Sequence, residues 1–246
     1  MYPETRKFEE LSFNAHPALN TMYYDGWLLR FAEGYTLRAN SVNTIYPSTL
    51  ALNDKISYCE DIYTQLKLPT VFKITPLSLE LDAVLEERGY RIVTPTNLMT
   101  ATIPQTKAEG LISTTENGIS EDWQNNYFRL QQTSDTMMSS AKKLQSNIIA
   151  RNICSTLACG GEIVACGLCV VERDCAGIYE IITAPQHRRK GYGLDICTSL
   201  ICAASEFGAK TAYLQVVADN YKAIGLYEKI GFEYAYKYWY RVKELK

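Results

Sequence analysis

Arg188, Arg189 and Lys190 run straight into Gly191-Tyr192-Gly193, and an apolar-periodic segment begins at Leu194. Gly191 and Gly193 carry no Cβ, so a ligand can approach their backbone closely and the turn can take dihedrals that other residues avoid. The helix expected after them offers unpaired N–H groups and the positive end of its dipole. Three cations add full charge at the same point, and together these features describe a cradle for a pyrophosphate. A P-loop would need G-x-x-x-x-G-K-[ST], which does not occur in the chain. A dinucleotide fingerprint would need a third glycine where Ile196 stands. What remains is R-x-x-G-x-G between a strand ending at Thr183 and a helix. The plainer alternative is a solvated basic turn.

Other residue types that could do chemistry are fewer. Glu180 lies on the strand leading to the loop among apolar neighbours, where a carboxylate needs either a cation across the sheet or a task. His187, beside the loop, is expected to face solvent or phosphate. Cys166 and Cys169 form a C-x-x-C with Cys154, Cys159 and Cys175 nearby. Ile163–Val171 reads as a buried strand, on which residues three apart point to opposite faces, so the pair could share a metal only across a bulge. No second C-x-x-C and no H-x-x-x-H completes a ligand set. The cysteines are therefore read as small buried thiols, and no metal site is expected.

These residues need elements to hold them. "TAYLQVV" (211–217) reads as a buried strand, and "NYKAIGLYEKIGF" as a short helix ending in Gly231. The last strand alternates from Phe232, with Tyr234, Tyr236, Tyr238 and Tyr240 on one side, and could serve as a homodimer interface. Upstream, helices are expected over 121–131 and 139–153, then strands at 155–158, 163–172 and 177–183. A helix follows the glycine loop and ends near Gly208. In the leading part, Trp27, Leu29 and Phe31 alternate and Gly34 breaks the run. Tyr35, Leu37 and Ala39 alternate again, which predicts a hairpin. Ser48 can cap a helix carrying Leu52, Ile56, Cys59, Tyr63 and Leu66. "TVFKI" is a buried strand, a helix over 79–88 stops at Gly89, and "YRIV" and "NLMTATI" read as two closing strands.

The polar stretch Thr106–Gly118 is taken as a boundary, giving domains 1–110 and 111–246. "TVFKI", a helix, "LEERGY" and a strand in the first echo "TAYLQVV", a helix, "YEKIGF" and a strand in the second, so two related α/β halves are expected. Only the second has a basic glycine loop.

With the loop, Asn220, Ala223, Leu226-Tyr227-Glu228-Lys229 and Gly231-Phe232 in place, the sequence resembles the GNAT superfamily of acyl-coenzyme-A-dependent N-acetyltransferases. The resemblance covers 178–232 and extends upstream to Glu121. "DGWLLR…GYTLRANSVN" is similar to the leading segment of two-part bacterial members. The resemblance implies an α/β (α+β) GNAT fold, a mixed central sheet flanked by helices, with a degenerate GNAT-like N-terminal half. It implies acetyl-CoA as co-substrate, its pyrophosphate on the amides of Arg189, Lys190, Gly191, Tyr192, Gly193 and Leu194, with Arg188 closing the loop. The pantetheine arm would add as a strand along Ile181-Ile182-Thr183, with Ala223 beside it and Asn220 either contacting it, capping its own helix, or both. Tyr227 stands where the family keeps its general acid, and a phenol of pKa about 10 can protonate a thiolate, the alternative being a tyrosine that packs on the sheet with its hydroxyl in water. Glu180 is the candidate base, with a water chain as the alternative.

The reading is an N-acetyltransferase acting on a primary amine of a small molecule or peptide, by direct attack in a ternary complex. The alternatives are a catalytically weak acyl-CoA-binding, regulatory module and an aminoacyl-tRNA-dependent transferase. Charge speaks against nucleic acid as a partner. Of the 246 residues, 13 acidic and 10 basic lie up to Gly110 and 14 and 15 beyond it, so neither half has a broad basic excess. No apolar run approaches the ~18 residues of a membrane span, and residues 1–4 lack the order of a secretory signal. The chain is expected to be cytoplasmic. The polar run Arg38–Asn43 is read either as turn-capping side chains or as a source of acceptor contacts from Arg38, Asn40 or Asn43.

Overall fold

In the computed structural model, which describes residues 2–104 and 109–245, helices and strands alternate in a mixed α/β order. The chain forms two compact units, 1–97 with 236–246, and 98–235. The opening of the expected linker, 106–108, lies outside the described residues.

The first unit holds helices α1 (Tyr2–Ala15), α2 (Leu52–Gln65) and α3 (Leu79–Glu87) and strands β1 (Asn20–Tyr24), β2 (Trp27–Phe31), β3 (Val42–Thr44) and β4 (Thr70–Ile74). Strand β5 (Arg91–Thr102) begins here and ends in the second unit. The second unit holds β6 (Thr114–Asn117), α4 (Glu121–Gln131), α5 (Asp135–Ser146), β7 (Arg151–Cys159), β8 (Glu162–Glu172), β9 (Cys175–Thr183), α6 (Tyr192–Glu206), β10 (Thr211–Val217) and α7 (Tyr221–Lys229). Strand β11 (Glu233–Lys243) leaves it and returns to the first.

The two strand–helix–strand runs that echo in sequence, β4–α3–β5 and β10–α7–β11, have exchanged their last strands. Antiparallel pairing sets Trp239–Lys243 of β11 against Thr70–Ile74 of β4, whereas β5 neighbours β10 and the Ile103 N–H donates to the Lys210 carbonyl. Each unit is thus completed by a strand from the other half of the sequence.

On one side of β4, Phe72 and Ile74 pack with Trp27, Leu29, Ile56, Tyr63 and Leu85 into a core beneath α2 and α3. Strand alternation turns Lys73 the other way. There its Nζ lies 2.6 Å from Glu9 Oε2 of α1, and the Tyr236 hydroxyl donates to the other carboxylate oxygen at 2.8 Å. Both charges are buried.

Several expectations for the leading part are corrected. The hairpin is β1–β2, closed by Asp25-Gly26, and residues 35–39 form turns rather than a second arm. The cause is Asn40, whose side-chain oxygen accepts from the Ala32 and Gly34 amides at 2.7 and 3.1 Å and curls the chain before β3. Ser48 does not cap α2. Its hydroxyl donates to the Asp25 carbonyl, while the Asp25 carboxylate takes the Thr49 and Leu50 amides. The two closing strands are one, β5, and α1 had no counterpart in the expectations. Helix α5 runs earlier than 139–153, because residues 151–153 pair with β8.

Asn40 is buried and spent on backbone, its amide nitrogen donating to Thr36 O at 2.8 Å. Asn43 is buried too, donating to Ser41 O at 2.8 Å. Asn40→Ala strands two amides, and the expected loss is ~1–3 kcal/mol with substrate KM values unchanged. Thermal unfolding and steady-state kinetics on the variant check both.

His16 gives the first unit a pH dependence. Burial, with Arg38 and Arg30 beside it, holds its imidazole well below its ordinary value. The unfolded chain therefore takes up a proton near pH 6.5 that the fold refuses. Stability falls as pH drops below about 6.5, by up to ~1.4 kcal/mol per unit for one proton. Urea midpoints between about pH 7 and 5 should show that slope from this imidazole, reduced in His16→Gln.

Candidate functional site

The second unit is shaped around one irregularity. Strands β9 and β10 pair in parallel only from Cys175–Ile178 against Thr211–Leu214, although β9 runs on to Thr183 and β10 to Val217. At the point of parting, the register of β9 on β8 jumps. Leu168 opposes Tyr179 but Cys166 opposes Ile182, so Glu180 and Ile181 together face Gly167. Two residues against one is a β-bulge, which bends and twists the strand that carries it. Glu180 takes the left-handed φ of 53° needed to make the bend, an uncommon conformation for a side-chain-bearing residue.

Gly167 permits the bulge. A Cβ there would lie 2.5 Å from Ile196 Cγ2 and 2.6 Å from Ile181 Cδ1, inside contact distance of both. Beyond the bulge, Ile181, Ile182 and Thr183 are half-buried and have left β10.

The basic loop follows at once. Residues Pro185–His187 form one 3-10 turn, the Arg188 Nε donates to the Thr183 carbonyl at 3.3 Å, and Arg189 and Gly191 take φ of 66° and 86°. Gly191 is the N-cap of α6, its carbonyl accepting from Asp195 N, so the amides of Tyr192, Gly193 and Leu194 precede the first intrahelical bond. Arg188, Arg189 and Lys190 are all exposed. Gly193 lets α6 come close to α7, since a Cβ would sit 3.0 Å from Leu226 Cδ1. The Asp195 carboxylate takes the Ile112 and Ser113 amides at 3.0 Å each, tying the segment before β6 to the first turn of α6.

Asn220 caps α7, its side-chain oxygen accepting from the Ala223 amide at 3.2 Å. Tyr227 is half-buried about two turns on, its ring edge-to-face on Phe232 at 5.9 Å. Burial, with Cys197 nearby, raises its pKa above the ordinary phenol value, so the hydroxyl keeps its proton throughout the physiological range. His187 does not face solvent with both nitrogens. Its ring stacks on Tyr192 at 6.2 Å, and Nδ1 is buried without a hydrogen-bond partner among the described residues.

One contact had no signal in the motifs. The Tyr127 hydroxyl of α4 donates to the Glu180 carboxylate, and the Tyr127 ring stacks on Trp123 at 5.3 Å with the planes 3° apart. The i, i+4 aromatic pair on α4 was the available hint. Cys166 and Cys169 both lie buried on β8, with the β8–β9 bulge between them. Burial pushes the Cys166 thiol up to about 12, leaving it protonated and inert. Among the described residues no three His, Cys, Asp or Glu side chains come together to hold a metal ion. None of the helices is long and apolar enough to cross a membrane, again among the described residues.

A family model described as "Probable histone acetyltransferase Rv0428c C-terminal" matches residues 3–241. An uncharacterized N-acetyltransferase of Bacillus subtilis strain 168, YobR, is 29% identical over 251 aligned residues, covering 98% of this chain and 99% of its own. The [ribosomal protein bS18]-alanine N-acetyltransferase of Escherichia coli K12 is 31% identical over 108 residues, 44% of this chain and 73% of that protein. In three dimensions the chain resembles a GCN5-related N-acetyltransferase from Kribbella flavida, with a TM-score of 0.71 at 13% identity, covering 98% of this chain and 96% of the other.

Proposed function

Starting from a chain that belongs to the GNAT superfamily of N-acetyltransferases, we propose that it transfers the acetyl group of acetyl-CoA to a primary amine, by direct attack in a ternary complex. The observation that carries this reading is the parting of β9 from β10 beside the amides that open α6. A free strand edge next to a cationic helix N-terminus suits a ligand with an amide-bearing arm and a pyrophosphate.

The pantetheine arm would pair with Ile181-Ile182-Thr183, while the pyrophosphate rests on the amides of 189–194 with Arg188 closing over it. Arg188 is already turned to the end of β9 by its bond to the Thr183 carbonyl. Asn220 and Ala223, at the opening of α7, flank the arm. A main-chain amide near Ile182 would polarise the thioester carbonyl and take the charge that develops on its oxygen. The amine nitrogen bonds to the carbonyl carbon, the C–S bond breaks, and the departing thiolate takes the Tyr227 proton. The proton of the attacking amine passes to Glu180, directly or through water. The Tyr127 hydroxyl would hold that carboxylate in one orientation.

The catalytic part is residues 111–246, and the related leading half, 1–110, lacks a basic glycine loop and is assigned no acyl-CoA site. The acceptor is an amine of a small molecule or peptide. The alanine named for the Escherichia coli relative makes an alanine-terminated peptide one member of a sensible panel. Release of free CoA, followed over such amines and over malonyl- and succinyl-CoA as rival donors, tests the reading. Turnover with acetyl-CoA and at least one amine is expected. Binding without turnover on any amine would favour a regulatory acyl-CoA module.

A further inference from the structure

A cavity of about 430 Å³ lies wholly within the first unit, lined by the N-terminal helix α1, strands β2 and β3, and the openings of α2 and α3. Cavities of ~300–1,000 Å³ are the usual size for small-molecule sites. Three charged side chains line it, Arg6, Lys55 and Glu80. The Arg6 Nε donates to the Ile45 carbonyl at 3.0 Å and the guanidinium stands 5.6 Å from the Tyr46 ring centre. Its two terminal nitrogens have no partner among the described residues, and the Glu80 carboxylate has none either. They are not paired with each other. Thr44, on the same wall, has a buried Oγ1 without a hydrogen-bond partner. Leu50, Leu52 and Leu77 supply accessible apolar surface in the same lining, whereas Trp27 and Leu81 are buried. Lys55, also in the wall, already has partners in the Asp25 carboxylate at 3.0 Å and the Asp25 carbonyl at 2.6 Å.

A guanidinium held by its Nε presents a planar fork that fits a carboxylate with two parallel bonds. The exposed Glu80 carboxylate in the same lining fits an ammonium. We propose that this cavity binds a zwitterionic amino acid with an apolar side chain, its carboxylate on Arg6, its ammonium on Glu80 and its side chain against Leu50, Leu52 and Leu77. The site is independent of the acetyl-transfer reading, because all of its residues belong to the first unit and none to the acyl-CoA loop. Glu80 also lies in the first turn of α3, where a carboxylate suits the helix dipole, so its variant is read for binding and for stability together.

The experiment is calorimetry without acyl-CoA, using L-leucine and L-phenylalanine against leucinamide, which has no carboxylate, and N-acetyl-leucine, which has no ammonium. Saturable binding of the free amino acids is expected, with each blocked analogue weaker by about tenfold or more, the scale of a lost charge-assisted bond. Arg6→Gln should weaken leucine to a similar degree and no longer distinguish it from leucinamide. Glu80→Gln should no longer distinguish leucine from N-acetyl-leucine. If Arg6→Gln does not fold, the Glu80 variant and the analogue series decide alone. Absence of saturable binding by any zwitterion, or binding indifferent to Glu80→Gln and to N-acetylation, would overturn the proposal. Amino acids held at the acetyl-acceptor site instead would bind alike to the wild type, Arg6→Gln and Glu80→Gln, and that result would overturn the proposal as well.

Discussion

Tyr227→Phe is expected to lower kcat by ~10²-fold or more while leaving the KM for acetyl-CoA near its wild-type value. The substitution removes one hydroxyl and nothing else. The ring keeps its edge-to-face contact with Phe232, and the helix keeps its cap at Asn220. Proton donation to a leaving thiolate typically contributes 10²–10⁴-fold, and that contribution is what the phenylalanine lacks. Because burial holds the phenol pKa up, the acid is not lost by titration in the neutral range, and the defect should persist at every pH from about 6 to 9. Single-turnover measurement is the check, since it separates the chemical step from product release. An unchanged single-turnover rate would remove Tyr227 from the mechanism.

Lys73→Met is expected to cost ~3–5 kcal/mol of stability, the usual penalty for leaving a buried charge without its partner. Glu9 would keep only the Tyr236 hydroxyl, and α1 would lose the contact that ties it to β4. Lys73 also sits 3.9 Å over the Tyr238 ring, an attraction that the methionine replaces only in part. Adding Glu9→Gln to the same chain should restore a measurable part of the loss, because the stranded charge goes with it. Urea unfolding of the wild type, both single variants and the double variant measures the coupling. Additive effects would mean that the two side chains contribute separately, and that the pair does not hold α1.

How much of this was legible in the sequence differed by element. Helix α4 and strand β10 were readable residue for residue, and α6 and α7 nearly so, since each has strong local periodicity and a stop signal such as Gly208 or Gly231. The basic loop was readable because its chemistry is local and carried by consecutive residues. What was hidden depended on partners far away in the chain. Helix α1 buries Glu9, which reads as a surface charge until Lys73, 64 residues on, is placed beside it. The strand exchange leaves no local mark, because β4 and β11 each look like an ordinary strand whichever neighbour they take. The expected hairpin over 35–39 failed to a single side chain, Asn40, which offers the backbone a competing acceptor. Within the candidate site, the Glu180 carboxylate was legible as an oddity on an apolar strand. Its bulge and its Tyr127 partner, 53 residues earlier, were not.

On the proposed mechanism the loop from Arg188 to Leu194, beside the free edge of β9, holds the acyl-CoA. Calorimetric titration of acetyl-CoA into the wild type and into Gly191→Glu tests it most directly. A Cβ at position 191 meets nothing within 4 Å, so the glutamate has room. The left-handed φ of 86° costs roughly 1–2 kcal/mol, which circular dichroism and thermal unfolding can account for separately. What the variant adds is a negative charge where the pyrophosphate must lie. One saturable site in the wild type and none in the variant is the expected result. Stoichiometric binding that survives Gly191→Glu in a folded protein would contradict the account.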